Sequence, residues 1–175
     1  MSADIQSLIK DRKYWVEANK RNCFEEGIKR LLTDLYPDRA HFIYELLQNA
    51  EDTKASKVEF RLFSDRVEFS HDGERLFSLK DIKSITSLGS SSKRDDITTI
   101  GKFGVGFKAV FAYTNTPEIH SGDFHFRIKD CVVPEIVSAK KHLTQQIRLV
   151  LFFHLIIQLK GRDVQCKRSL KDCKI

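Results

Sequence analysis

Apolar residues Ile5, Leu8 and Ile9, and again Phe24, Ile28, Leu31 and Leu32, recur at helical spacing. They predict helix over residues 5–32, with Asn19 or Asn22 able to cap a second segment. Tyr36-Pro37-Asp38 breaks the pattern. Over residues 40–51, Phe42, Ile43, Leu46, Leu47 and Ala50 form one apolar stripe, which predicts a strongly amphipathic helix. The period then drops to two. Val58, Phe60 and Leu62 alternate with Glu59, Arg61 and Phe63, Ser64-Asp65 reads as a turn, and Val67-Glu68-Phe69 starts a return strand that ends at His71-Asp72-Gly73. Residues 79–88 predict a short helix capped by Ser78, with Asp81 in its first turn. Residues 89–99 are polar and read as a mobile loop, followed by glycines at 101–106 and a helix over 107–113. Residues 118–121 and 124–128 predict a hairpin across Gly122-Asp123. Residues 149–159 fit a buried strand or a short helix equally well.

A chain of 175 residues has the length of one domain with room for an appendage, and is long enough for a real core. The longest apolar run, 149–159, is too short to span a bilayer, and the first residues carry no signal-peptide core. The chain therefore reads as cytoplasmic, with no membrane partner. Cys23, Cys131, Cys166 and Cys173 lack zinc-ligand spacing and read as reduced thiols. The net charge of +6 is unevenly spread: residues 138–175 hold 9 basic and 2 acidic side chains, leaving 21 and 22 for residues 1–137. The near-neutral body gives nucleic-acid binding no support, although the tail is basic. The composition break divides the chain into a domain at 1–137 and a divergent basic tail at 138–175, expected to be a truncated or frame-shifted terminus.

Three short motifs carry candidate chemistry. Glu45 and Asn49 lie four apart on a helix, so they share a face. A carboxylate there can deprotonate water, and a carboxamide oxygen one turn on can ligate Mg²⁺. Asp72-Gly73 ends a strand, where a carboxylate can accept from an adenine amino group and a glycine lets backbone approach a ring. Gly101-Lys102-Phe103-Gly104-Val105-Gly106 precedes a helix and exposes backbone N–H groups to an anion, with Lys93, Lys102 and Lys108 adding charge. The loop lacks the Gly-Lys-Ser/Thr ending of a P-loop. It fits a dinucleotide fingerprint only loosely, as Gly104, Gly106 and Ala109, in a chain of hairpins rather than βαβ units. Taken singly, the motifs are weak: a solvated Glu and a helical Asn with no role, an ordinary Asp-Gly turn, and a lone glycine pattern.

Together and in this order, the motifs resemble the GHKL ATPases, the superfamily of DNA gyrase, the ninety-kilodalton heat-shock chaperone, sensor histidine kinases and MutL. The wording is most similar to sacsin-like members, over about residues 25–130. It is carried by His41-Phe-Ile-Tyr-Glu45-Leu-Leu-Gln-Asn49-Ala-Glu-Asp52, Ser90-Ser-Ser-Lys93, Ile100-Gly-Lys-Phe-Gly-Val-Gly-Phe-Lys108 and Thr116-Pro-Glu-Ile-His-Ser-Gly-Asp123. The resemblance implies the Bergerat fold, an α+β two-layer α/β sandwich with a mixed, mainly antiparallel sheet and helices on one face. It implies ATP and Mg²⁺ as cofactors, Glu45 as the catalytic base of a hydrolase and Asn49 as the metal ligand. Asp52, Asp72, Gly73, Lys93, Gly101, Lys102, Phe103, Gly104, Val105, Gly106 and Phe107 would surround the nucleotide, with 89–100 as a lid. Asp72-Gly73-Glu74 abbreviates the Asp-x-Gly-x-Gly of many members, and Thr144 is the one candidate for a threonine that others place near adenine. The expected setting is a chaperone or bacterial defence protein acting on a client or within a larger assembly. The alternatives are a non-hydrolysing scaffold module or a MutL-like DNA-associated ATPase. His120 and His125 read as surface strand residues, and Tyr14 and Trp15 as packing residues.

Overall fold

The computed structural model describes residues 3–20, 27, 30, 41–87, 106–139 and 149–154. Helix α1 spans Ala3–Lys20 and buries Ile5 and Leu8. Helix α2 spans His41–Asp52 and buries Leu46 and Ala50, the centre of its predicted apolar stripe. Helix α3 spans Leu79–Ile85 and is set by a capping box, in which the Ser78 hydroxyl accepts from the Asp81 N–H and the Asp81 carboxylate accepts from the Ser78 N–H. A 3₁₀ helix, η1, occupies Gly106–Ala112, where the sequence predicts an ordinary helix. The proposed lid, Lys93, the glycine loop from Gly101 through Val105, Thr144 and most of residues 21–40 lie outside the described residues.

Among the described residues the sheet has six strands: β1 (Val58–Leu62), β2 (Arg66–His71), β3 (Glu118–Ser121), β4 (Phe124–Lys129), β5 (Val133–Ile136) and β6 (Leu149–His154). Their order is β1-β2-β6-β3-β4-β5, and every described pairing is antiparallel. Two tight hairpins build its flanks. Phe63 donates its N–H to Arg66 O at 2.8 Å around Ser64-Asp65. Gly122 opens the β3–β4 turn at φ +55°, a left-handed conformation that glycine tolerates without a Cβ clash. The 149–159 run resolves as strand over 149–154, and it is central: β6 pairs with β2 on one side and β3 on the other.

Register explains the two layers. Phe69 pairs with Leu151, Leu151 with Ile119, and Ile119 with Phe126. Directly opposite residues share a face, so these four form a transverse apolar row, all of them buried. They belong to one cluster with Leu8 of α1, Leu46 and Ala50 of α2, Ile82 of α3 and Val110 of η1. Each of these side chains larger than alanine contributes roughly 1.5–3 kcal/mol on burial. The opposite face of the sheet carries Glu68, Glu118, Arg127 and Glu135 in another transverse row. The expected α+β two-layer sandwich is thus observed. Trp15 packs against the cluster as expected, whereas Tyr14, expected to pack, is 77% exposed. Among the described residues no helix is long and apolar enough to cross a membrane.

Candidate functional site

Helix α2 carries Glu45 and Asn49 one turn apart, both half-buried, on a face that adjoins the buried Leu46 and Ala50. The Glu45 side chain is 21% exposed. Its Oε1 lies 3.1 Å from His41 Nε2, one turn earlier. A carboxylate only accepts, so in this contact Nε2 is the donor. Its Oε2 lies against the first residue of η1: a Cβ placed on Gly106 would fall 1.9 Å from that oxygen. Glycine at 106 therefore leaves the carboxylate its position, and α2 packs directly on η1. Two of the three sequence motifs, the Glu-x-x-x-Asn helix and the end of the glycine loop, thus meet at one carboxylate.

Asp72 follows β2 and sits near the other end of α2. Its Oδ1 accepts the N–H groups of Ser56 (2.9 Å) and Lys57 (2.8 Å), and its Oδ2 accepts the Ser56 hydroxyl at 2.7 Å. The Ser56 hydroxyl, followed by these backbone donors, holds the carboxyl below its ordinary range. Three of its roughly four acceptor positions are thus occupied by the turn that follows α2. The buried Gly73 makes a close approach as expected, but to protein: a Cβ there would meet Thr53 Oγ1 at 2.0 Å and His71 Nδ1 at 2.9 Å. Gly73 donates its N–H to His71 Nδ1 at 3.1 Å, and Glu74 donates to Thr53 O at 2.8 Å. Burial lowers the pKa of His71, while neighbouring Asp72 opposes that shift, so the ring stays the neutral acceptor this contact needs.

The remaining described candidates are placed differently. Asp52 is exposed at the last position of α2. Phe107 packs against the core cluster, edge-on to Phe111 at 6.4 Å between ring centroids. Lys108, expected to add charge beside the glycine loop, instead turns inward and is 1% exposed. Its Nζ donates to Ile85 O (2.6 Å) at the end of α3 and to Cys131 O (2.5 Å) in the β4–β5 turn. Asp130 and Cys131 adopt left-handed φ values of 49° and 62° in that turn. Desolvation pushes the Lys108 amine down to about 8. The motif's lysine is therefore a strut joining three elements. Its burial has no local sequence signal, because it needs carbonyls 23 residues away on either side.

His120, expected at the surface, is buried. Its Nε2 lies 2.8 Å from Glu118 Oε1, and its Nδ1 lies 3.0 Å from His125 Nδ1. The Glu118 carboxylate only accepts, so Nε2 of His120 is the donor in that contact. Among the described residues, no group of three or more His, Cys, Asp or Glu side chains is placed to hold a metal ion.

Comparison with known proteins places this arrangement in context. Residues 22–155 match the family model described as the Sacsin domain. That span includes β6, which lies beyond the composition break at 138. The chain is 37% identical over 106 residues to Protein NO VEIN of Arabidopsis thaliana, covering 58% of this chain and 4% of that protein. It is 30% identical over 145 residues to Sacsin of Homo sapiens, covering 73% of this chain and 3% of that protein. The chain thus spans only a small fraction of the length of these curated relatives.

Proposed function

The chain belongs to the Sacsin-domain family, and from that premise we propose that it is an ATP·Mg²⁺-binding module that hydrolyses ATP between α2 and the start of η1. The observation that carries the reading is the seating of the Glu45 carboxylate on the bare Cα of Gly106. It brings a prospective base to the point where a glycine-rich segment enters a helix, the arrangement that suits an anion beside an attacking water. His41 holds Oε1 from one side, so the carboxylate is oriented while Oε2 accepts no hydrogen bond among the described residues.

In this reading Glu45 takes a proton from water, and Asn49 offers its carboxamide oxygen to Mg²⁺. A single neutral ligand suits that ion, which is held by one or two protein groups together with phosphate oxygens. Bound Mg²⁺ would offset negative charge on those oxygens. Gly101, Gly104 and Gly106 would let backbone N–H groups approach the phosphates, with Phe103 and Val105 between them and Lys93 and Lys102 as cationic contacts. Asp72 keeps one acceptor position for the adenine amino group. The partners would be a larger assembly or a client protein, in chaperone or defence work. The second reading, a module that binds ATP without turnover, draws on one observation: the extent to which Asp72 is committed to Ser56 and Lys57.

Calorimetric titration with Mg-ATP and phosphate release separate the two. Glu45→Ala should bind as the unaltered chain does and lose about 10²–10⁴-fold in turnover. Asn49→Ala should weaken binding only when Mg²⁺ is present. Binding without turnover in the unaltered chain favours the second reading, and no binding by it defeats both.

A further inference from the structure

The strand at one margin of the sheet is complementary to itself. Among the described residues β1 pairs with β2 alone in the sheet. Phe63 donates to Arg66 O, and Asp72 donates to Lys57 O. In an antiparallel pair these bonded positions recur every second residue, so the odd-numbered residues 57–63 direct their backbone groups at β2. The even-numbered residues Val58, Phe60 and Leu62 direct theirs outward. Among the described residues no backbone hydrogen bond reaches these outward groups. On the face shared with the core, Leu62 is 78% and Val58 40% exposed. On the other face Glu59 and Arg61 form an exposed ion pair, with Arg61 Nε 3.0 Å from Glu59 Oε1.

A two-fold axis through Phe60 would set β1 against β1 of a second copy in antiparallel register. Phe60 then meets its own image in a hydrogen-bonded pair. Val58 meets Leu62 and Leu62 meets Val58, again at bonded positions. Glu59 faces Arg61 and Arg61 faces Glu59 at the intervening non-bonded positions, where side chains approach most closely. Every outward backbone group, both apolar residues and both charges find partners of the right kind in the same register. A slip by one residue would place Leu62 against charge, and a slip by two would put Glu59 opposite Glu59 or Arg61 opposite Arg61. An edge this exposed is commonly blunted by proline, a bulge or inward charge. β1 has no proline, and its charges alternate in sign.

We propose that β1 is a homotypic docking edge through which the sheets of two copies of this chain join into one continuous, isologous sheet. The contact is one strand long, well below a standard-size interface of about 1,600 Å², so the dimer is weak and concentration-dependent. The proposal is independent of the nucleotide reading.

Sedimentation equilibrium of the full chain without nucleotide, from about 0.01 to about 1 mM, tests it. The unaltered chain should shift from monomer to dimer across that range. Glu59→Arg sets arginines against arginines and should raise the dissociation constant at least about tenfold. Mixing Glu59→Arg with Arg61→Glu in equal amounts should restore a mixed dimer, while each alone stays monomeric. Leu62→Pro removes an outward N–H without touching the β1–β2 ladder, and it should also abolish association while circular dichroism is unchanged. A chain that stays monomeric throughout, or a dimer that persists in Glu59→Arg and Leu62→Pro, overturns the proposal.

Discussion

Gly106 and Gly73 each press against a side chain near α2, and they do opposite things. At Gly106 the neighbour is the tip of Glu45, the far end of a flexible side chain with one described hydrogen bond. At Gly73 the neighbours are the Thr53 hydroxyl, the Thr53 Cβ at 2.7 Å and the His71 ring, within a ladder of hydrogen bonds that also engages Asp72. One glycine clears space for a carboxylate with capacity to spare. The other locks a turn whose acceptors are nearly all taken. The two motifs therefore differ in structure: at Gly106 a carboxylate oxygen is left without a hydrogen bond among the described residues, whereas at Gly73 the acceptors of the turn are largely taken.

The largest test of that contrast is Gly106→Ala. The new methyl group displaces the Glu45 tip, which can swing aside, so the melting temperature should hold while ATP turnover falls about a hundredfold, the expected cost of misplacing a base by about an ångström. Equal losses of stability and turnover would erase the contrast. Gly73→Ala should behave in reverse. Its methyl group meets the Thr53 Cβ, which cannot move without the chain, so urea denaturation should show a loss of about 1–3 kcal/mol. The smallest effect is in pH. His71 has a folded pKa below its ordinary 6.5, so the unfolded chain binds the proton more readily. Its contribution to stability is present above pH 6.5 and is lost as pH falls through the lower folded value. His71→Gln should flatten the stability profile in that window, measured by denaturation between pH 5 and pH 7.5 (roughly one unit either side of the ordinary value).

Local order was readable wherever the chain pairs with itself nearby. The stripe through Leu46 and Ala50, the hairpins around Ser64-Asp65 and Gly122-Asp123, and the Ser78 cap all follow from short-range rules, and all are observed. What was not readable depends on distant partners. Residues 149–154 suited strand or helix until β2 and β3 opened a slot between them, with β2 nearly eighty positions earlier. Lys108 looked like a phosphate contact and proved to be a strut, because its partners are the carbonyls of Ile85 and Cys131. His120 looked exposed and is buried between Glu118 and His125.

The order of residues alone was enough to place α2, α3 and the hairpins around Ser64-Asp65 and Gly122-Asp123, and to put Glu45 and Asn49 on one helical face. Periodicity and turn chemistry act within a few residues, where the chain has little choice. The tertiary structure alone decided that Gly106 seats Glu45, that Asp72 and Gly73 close a turn, that β6 joins the two hairpins, and that β1 is the edge strand among the described residues. Those outcomes turn on which elements meet across long loops, and closing a loop is a property of the whole chain that no local pattern records.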